Sequence, residues 1–367
     1  MQIGIGIIGC GYWGKNYVRI FQELPQTKVV QVSDLQEESL GVVQKYYPSV
    51  KITRDYRDIL KDSEIDAVVV ATPANSHYEI TKESLLAGKH VLVEKPLSST
   101  LEEGEKLIEL GYRQQRTLMV GHTFLYNAGI RKVRECIESN SPGRIYYLHA
   151  TRTNLGPIRS DVNALWDLAP HDISIFNYLL DAMPETASAT GASFLGNGRE
   201  DVVFVTLNYP GGIVGHIHVS WVDPNKVRQI TLVGSQQRIV FDDLSTIDRV
   251  RIFDKGVVAE AQKVDSYGEF RLRVHDGDIT SPKIEASEPL KNMCQHFIEC
   301  LQTGSTPFTD GLNGLDVLRV MVAVTESIKR NNSSVSLQAC WDVSQIPARI
   351  GLFETTSRNN GFQTVRK

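Results

Sequence analysis

Short apolar segments alternate with amphipathic ones through residues 1–122 of the chain. Six apolar segments are rich in Ile and Val and predict strands at residues 3–9, 28–34, 50–53, 65–72, 90–94 and 117–122. Between them, apolar side chains recur every three or four residues, which predicts helices at 15–24, 36–47, 55–62, 76–88 and 100–115. Strands that alternate with helices form a parallel sheet covered on both faces. Residues 1–122 are therefore predicted to form a doubly wound Rossmann domain.

The pattern changes in the second half, where longer strands are joined by turn residues such as those of "NYPGG". Strands are predicted at 143–154, 185–196, 201–210, 212–221, 228–243 and 249–254, with one helix near 167–181 and two late helices at 288–302 and 311–330. We expect an α+β domain over 123–340 with a large open-faced, mainly antiparallel sheet, and late helices that pack back on the first domain. Residues 341–367 are expected to form a C-terminal extension.

Charge and composition narrow the function classes. The chain carries 39 Lys and Arg against 43 Asp and Glu, a net charge of −4, which argues against a protein that grips nucleic acid or an anionic membrane. Its apolar runs are too short to span a bilayer, and its N-terminus lacks a basic leader, so we expect a cytoplasmic protein. Five scattered cysteines without a CxxC pair indicate neither a metal site nor a disulfide framework.

The stretch "GCGYWG" at residues 9–14 fits the pattern GxGxxG, and it lies between a predicted strand and a predicted helix. That context makes it a dinucleotide-binding turn rather than a chance run of glycines. Gly9 is expected to make the tight turn, Gly11 to let a pyrophosphate approach the backbone, and Gly14 to let the helix pack on the strand. The helix N-terminus offers N–H groups to the phosphates, and Tyr12 and Trp13 are expected to flank them.

Asp34 ends the second predicted strand, 20 residues after Gly14. A carboxylate at that position accepts hydrogen bonds from the adenosine ribose hydroxyls, and it repels a 2′-phosphate. Leu35 and Gln36 supply no positive charge to offset that repulsion. The sequence therefore predicts NAD as the cofactor, with NADP disfavoured.

Two further strand ends carry polar residues at the edge where ligands bind in such sheets. After the fourth strand, "ATPANSH" at 71–77 offers candidate cofactor contacts in Thr72, Pro73 and Asn75. His77 is open to two interpretations, a ligand contact or an ordinary surface residue of the first helical turn.

After the fifth strand comes "EKP", in which Glu94 and Lys95 precede Pro96. The Lys95 ammonium is expected to emerge beside the nicotinamide, where it can hold the oxygen of an alcohol and stabilise negative charge. A solvent-exposed strand-end lysine is the competing interpretation.

The second domain contributes Asp167 and His171 in "ALWDLAPHDISIFNYLL" (164–180), four residues apart at the start of a predicted helix. Side chains at i and i+4 share one helix face. His171 can accept a hydroxyl proton, while Asp167, at the N-cap or in the first turn, can orient that imidazole or neighbour Lys95. Pro170 is then tolerated as a first-turn residue. An N-cap aspartate with a core histidine is the competing interpretation.

Together, "GCGYWG", Asp34, "ATPANSH", "EKP", "VGHTFLYN" (120–127), "DLAPHD" (167–172) and the late segment from "HFIECLQTG" to "GLDVLRV" resemble the Gfo/Idh/MocA oxidoreductases. The likeness runs from residue 1 to about 337. In that family the lysine of EKP and an Asp-xxx-His pair act at the substrate, which implies catalytic roles for Lys95, Asp167 and His171. The resemblance also implies that the open-faced sheet mediates homodimers or homotetramers.

Within that family, residues 152–172 are similar to enzymes that oxidise C3 of nucleotide-linked amino sugars of the UDP-N-acetyl-hexosamine type. The candidate substrate contacts are Arg152, Asn154 and Arg159 of this stretch, together with His122 of "VGHTFLYN". Physically, the two arginines can grip a diphosphate, although loop arginines are usually solvated. Trp166 can stack on the cofactor or be an ordinary half-buried residue.

Three functions follow from these residues. The first is an NAD-dependent dehydrogenase of a secondary sugar hydroxyl, with a nucleotide-linked sugar as substrate. The second keeps the chemistry but acts on a free polyol or monosaccharide such as inositol. The third is a non-catalytic NAD-binding protein that docks on another protein, which the set Lys95, Asp167 and His171 argues against.

Overall fold

The computed structural model describes residues 2–159, 161–196, 198–259 and 272–337. The first part of the chain alternates strand and helix, as the pattern predicts. Its elements are β1 (Ile3–Ile8), α1 (Tyr12–Glu23), β2 (Thr27–Ser33), α2 (Glu37–Tyr46), β3 (Lys51–Thr53), α3 (Tyr56–Lys61), β4 (Ala67–Val70), α4 (His77–Leu86), β5 (His90–Glu94), α5 (Leu101–Arg113) and β6 (Leu118–Gly121).

The six strands form one parallel sheet in the order β3-β2-β1-β4-β5-β6. All four residues of β4 and of β6 are buried, since helices cover both faces of the sheet. The strand order reverses between β1 and β4, which opens a crevice at the carboxyl ends of these two strands. The predicted Rossmann architecture is confirmed.

Within its described residues, the second part of the chain builds a larger sheet and four helices. Its elements are α6 (Ala128–Glu138), β7 (Ile145–Leu155), α7 (Ala164–Leu180), β8 (Thr186–Ala192), β9 (Val202–Tyr209), β10 (Ile213–Ser220), β11 (Val222–Gly234), β12 (Arg238–Asp242), β13 (Val250–Ala259), β14 (Leu272–Thr280), α8 (Pro289–Thr303), α9 (Gly311–Lys329) and β15 (Val335–Ser336). The nine strands lie in the order β14-β13-β12-β11-β7-β10-β9-β8-β15. Every neighbouring pair is antiparallel except β7 and β10, so the predicted mainly antiparallel sheet is confirmed.

The two faces of this sheet differ. Along β7, Leu148 and Ala150 are fully buried on the face that α7 covers. The other face presents Tyr147, Phe204 and Val214, which are 45%, 46% and 37% exposed. Side chains alternate between faces along a strand, so these three exposed apolar groups lie on the same face of the sheet.

The sequence pattern missed several boundaries. The predicted strand 228–243 is two strands, because a turn closed by Gly234 N–H and the Gln237 carbonyl at 2.9 Å separates β11 from β12. Helix α6 and strand β14 were not predicted. The proposed extension at 341–367 lies outside the described residues.

The late helices α8 and α9 contact the first domain. Helix α9 packs against α5 and β6, and α8 packs against α1. The Thr309 carbonyl accepts from Val120 N–H at 2.7 Å, which ties the segment before α9 to the edge strand β6. Within the described residues no helix has the length and apolar character to cross a membrane.

Candidate active site

The glycine turn joins β1 to α1 at the crevice. Gly9 has φ of +92°, a left-handed conformation that glycine adopts without strain. A Cβ on Gly14 would lie 2.0 Å from the Gly9 carbonyl oxygen, so only glycine lets α1 pack this closely. A Cβ on Gly11 would meet no atom of the described residues within 4 Å, because that position faces the open crevice. This open backbone position fits the approach of a dinucleotide diphosphate.

Asp34 follows β2 and holds the glycine turn in place. Its Oδ2 accepts from Cys10 N–H at 2.5 Å and its Oδ1 from Gln36 N–H at 2.7 Å. Burial, and next the Asp34 carboxylate, raise the pKa of the Cys10 thiol to about 11. Cys10 is therefore a neutral thiol at pH 7, and it adds no nucleophile to the site.

A cleft of about 420 Å³ runs from this turn to the ends of β4 and β5. It brings together eleven of the predicted residues, from both domains. They are Gly9, Gly11, Tyr12, Trp13, Asp34, Thr72, Pro73, Glu94, Lys95, Arg159 and Trp166. Asn75 lies instead in an adjoining pocket that shares the Trp166 side chain, and Gly14 lies beneath the turn.

Lys95 is largely buried, contrary to the interpretation as a solvent-exposed lysine. Its side chain is 9% exposed, and Nζ donates to the Asp167 carbonyl oxygen at 2.6 Å. The Asp167 carboxylate lies 3.6 Å from the same ammonium. Burial lowers the pKa of Lys95, and the carboxylates of Asp167 and Glu94 oppose that shift. A buried ammonium beside one carboxylate can donate to a further oxygen in the cleft.

Helix α7 begins earlier than predicted. Asn163 is its N-cap and accepts from Trp166 N–H at 3.0 Å, so Asp167 lies in the first turn and Pro170 in the helix interior. The prediction that Pro170 is a first-turn residue is wrong. A proline at this position cannot donate to the carbonyl four residues earlier.

Asp167 contacts cations and an indole. Its Oδ1 lies 3.2 Å from Arg159 Nη1, and its Oδ2 accepts from Trp221 Nε1–H at 3.2 Å. With Lys95 on the other side, the carboxylate is surrounded by three donors. Of the two neighbours predicted for Asp167, the Lys95 ammonium is in contact with its carboxylate.

Two histidines lie close to the lysine. His171 packs its ring against Phe124, with 5.0 Å between centroids, and its buried Nδ1 has no hydrogen-bond partner among the described residues. Burial, and then the charge of Lys95, lower the pKa of His171 well below its usual value. The same two causes lower the pKa of His122, which is 1% exposed, to about 3. Both imidazoles are therefore neutral at pH 7.

Arg152 is committed to a buried ion pair. Its Nε and Nη2 donate to the two carboxylate oxygens of Asp172 at 2.9 and 2.8 Å, and its guanidinium lies over the Phe124 ring. The prediction that Arg152 grips a diphosphate is not supported by this arrangement. Asn154 donates to the Gly156 carbonyl at the start of the segment that carries Arg159.

His77 neither lines the cleft nor lies on the surface. It is 1% exposed, with Nδ1 2.7 Å from the Pro96 carbonyl oxygen and Nε2 2.9 Å from that of Thr72. It therefore ties the segment after β4 to the segment after β5. Both interpretations of this residue are corrected.

Sequence reasoning missed the partners of the predicted residues. Tyr17 on α1 donates to Glu94 Oε1 at 2.7 Å, and burial raises the pKa of Glu94. Trp221, which bonds Asp167, lies 54 residues further along the chain. Neither tyrosine nor tryptophan stands in a recognisable motif, so no signal in the sequence indicated them.

Alanine substitutions at two glycines of the turn should separate cofactor binding from folding. Gly11→Ala should weaken NAD binding by at least about tenfold with an unchanged melting temperature, since the new methyl group enters only the crevice. Gly14→Ala should lower the free energy of unfolding by about 3 kcal/mol, since its methyl group collides with backbone. Calorimetric titration and thermal melts check both. A Gly11→Ala variant that binds NAD normally would contradict the assignment of the crevice.

Comparisons with known proteins agree with this architecture. The sequence model of the oxidoreductase family with an NAD-binding Rossmann fold matches residues 3–122, and that of the GFO/IDH/MocA C-terminal domain matches residues 130–240. Uncharacterized oxidoreductase YrbE of Bacillus subtilis is 29% identical over 59% of this chain and 66% of its own length. Myo-inositol 2-dehydrogenase of Thermotoga maritima is 25% identical over 90% of this chain and 97% of its own length.

Solved structures have the same fold. A crystal structure of a protein from Magnetospirillum magnetotacticum MS-1 superposes with a TM-score of 0.76 at 28% identity, covering 88% of this chain and all of that one. The WlbA dehydrogenase from Bordetella pertussis, solved with NADH and UDP-GlcNAcA, has a TM-score of 0.75 at 22% identity over 92% and 99% of the two chains. With its parallel sheet, its glycine turn and both halves matched, the chain belongs to the Gfo/Idh/MocA family of oxidoreductases.

Proposed function

We propose that this protein is an NAD-dependent dehydrogenase that oxidises a secondary hydroxyl of a sugar, and that its substrate is a nucleotide-linked sugar. The observation that carries the proposal is the Lys95 ammonium, which lines the cleft and lies 3.6 Å from the Asp167 carboxylate, one helical turn before His171 on α7. A cation that can hold an alkoxide and a neutral base that can take its proton are what alcohol oxidation requires.

Bound NAD supplies the acceptor for the hydride that leaves the substrate carbon. The turn at Gly9 and Gly11 and the N-terminus of α1 would hold its diphosphate, and Asp34 its adenosine ribose. Lys95 orients the substrate hydroxyl and stabilises the negative charge that develops on its oxygen. His171 accepts the hydroxyl proton, and Asp167 offsets the charge of Lys95. Burial of these groups strengthens each interaction.

The cofactor preference follows from Asp34, whose carboxylate lines the cleft beside the exposed Leu35. We expect NAD to bind at least about a hundredfold more tightly than NADP, because a 2′-phosphate would meet this charge. Asp34→Asn keeps an acceptor for one backbone N–H but removes the charge, so the ratio of NAD affinity to NADP affinity should fall by about tenfold. Fluorescence titration with NAD and with NADP measures this ratio. Equal affinities in the unaltered protein would contradict the prediction.

The substrate class rests on two relatives that point in different directions. The WlbA structure contains a UDP-linked sugar, while the relative from Thermotoga maritima acts on myo-inositol. The likeness of residues 152–172 to nucleotide-sugar enzymes supports the first class. A free polyol or monosaccharide is the second candidate, and the identity over nearly the whole length of the inositol dehydrogenase favours it.

One ligand screen decides between the classes and tests the proposal itself. Thermal melts with NAD present should show stabilisation by UDP-N-acetyl-hexosamines beyond that of NAD alone, because a ligand that binds only the folded state raises its stability. Stabilisation only by inositols or free hexoses would favour the second candidate. Absorbance then records NAD reduction with each stabilising ligand. Tight NAD binding without reduction by any of them would indicate a non-catalytic protein.

A further inference from the structure

Trp221 lies between β10 and β11, directly behind the candidate active site. It is 1% exposed, and its Nε1–H donates to Oδ2 of Asp167 at 3.2 Å. Its backbone N–H donates to the Asp201 carbonyl at 2.9 Å, and its own carbonyl accepts from Gly156 N–H at 3.0 Å. One residue thus holds both the Asp167 carboxylate and the start of the segment that leads to Arg159.

The indole bond sets the direction in which the carboxylate points. With Oδ2 held by Trp221, Oδ1 is left to face Lys95 at 3.6 Å and Arg159 at 3.2 Å. A carboxylate fixed at one oxygen loses the rotation that would turn its other oxygen away. Charge-assisted hydrogen bonds of this kind are stronger than bonds between neutral groups.

We propose that Trp221 is a positioning residue, whose indole N–H turns the Asp167 carboxylate toward the Lys95 ammonium and the Arg159 guanidinium. Its part in turnover rests on the proposed dehydrogenase function, whereas its hold on Asp167 does not. A buried tryptophan that only fills space would make its contribution through ring packing. Trp221→Phe distinguishes the two, since phenylalanine retains an aromatic ring and both backbone bonds but has no N–H.

The hydrogen bond can be tested in the resting protein without any substrate. The chain has four tryptophans, so labelling with ¹⁵N-tryptophan yields four indole signals, and Trp221→Phe identifies the one from Trp221. We expect Asp167→Ala to move that signal upfield and to speed its exchange with solvent, because the acceptor is gone. A Trp221 signal that Asp167→Ala leaves in place would overturn the proposal.

Turnover tests the consequence for the site. Trp221→Phe should lower kcat by about tenfold, which is the loss expected for one charge-assisted bond, with the KM for NAD unchanged. In an Asp167→Ala background the same change should cost less than about twofold, since residues that act through one another are not additive. An equal loss in both backgrounds would show that Trp221 acts through packing alone, and an unchanged kcat would also overturn the proposal.

Tyr209→Phe is the matched control. Tyr209 is buried, and its hydroxyl donates to Asn177 Oδ1 at 2.8 Å near the other end of α7. The Tyr209→Phe variant loses one buried hydrogen-bond donor to the same helix. We expect the kcat of this variant to equal that of the unaltered protein. If the unaltered protein does not reduce NAD with any sugar or polyol, the proposed function fails. The indole signal of Trp221 still decides whether Trp221 holds Asp167.

Discussion

Lys95→Met should lower kcat for sugar oxidation by about a thousandfold, while NAD affinity stays within a few-fold of the original. The ammonium is the group at the end of the cleft that can donate to the substrate oxygen as negative charge develops there. Removing one preorganised donor to such an oxygen typically costs a hundred- to a thousandfold in kcat. Methionine is also unbranched and flexible, so it can occupy the same buried space. Steady-state NAD reduction with the ligand found in the screen measures the loss.

The chain offers a matched control in Lys89, at the opposite end of β5. It is also buried, and its Nζ donates to the carbonyls of Asp62 and Ile65 at 2.8 and 2.7 Å. Lys89→Met should lower the melting temperature without changing kcat, because it removes a buried lysine far from the cleft. If the folded Lys95→Met variant turned over at the original rate, Lys95 could not be the group that holds the alkoxide.

Much of the first domain could be predicted because local signals agree there. Strands buried on both faces are continuous apolar runs, and in the helices between them apolar side chains recur every three or four residues. Gly9, Gly14 and Asp34 are tied to fixed positions of a strand–turn–helix unit, so their roles follow from spacing. Lys95 could be placed because parallel strands end at one edge of the sheet.

The partners of these residues could not be predicted, because they come from distant parts of the chain. Asp167 bonds Trp221 across 54 residues, and Lys95 bonds Asp167 across 72. Arg152 looked available for a phosphate, yet Asp172 neutralises it on the buried face of the sheet. A sequence shows that an arginine is charged, but only packing shows whether its donors are already used.

The boundary of α7 illustrates a different limit. Asp167 is an acceptable N-cap residue, but Asn163 holds that position, and the helix continues through Pro170. Propensity favours both residues as caps, and the choice is decided by a tertiary contact, the bond from Asn163 Nδ2 to Glu200 at 2.7 Å. The shift of the N-cap by four residues matters because it places Asp167 within the first turn, where its carboxylate lies 3.6 Å from Lys95.

His171→Asn should lower kcat by about a hundredfold to ten-thousandfold. It should also remove the acidic limb of the pH profile, which is the decline of kcat/KM at low pH. A positioned general base contributes rate factors of this size. Burial, and next the positive charges of Lys95 and Arg152, lower the pKa of His171 well below its ordinary value of 6.5. A base must be unprotonated to act, and a lowered pKa means that it is unprotonated over a wider range. The kcat/KM of the unaltered enzyme should therefore stay constant as pH falls through 6.5, and decline only at lower pH.

His90→Asn provides the comparison for this profile. Burial also lowers the pKa of His90, but its ring accepts from Thr117 N–H at 3.0 Å at the amino end of β5, the edge of the sheet away from the cleft. This variant should keep both kcat and the acidic limb. An acidic limb at or above pH 6.5 in the unaltered enzyme, or one that survives in His171→Asn, would assign the proton transfer to another group. Because His122 is neutral and buried nearby, His122→Asn would then be the variant to measure.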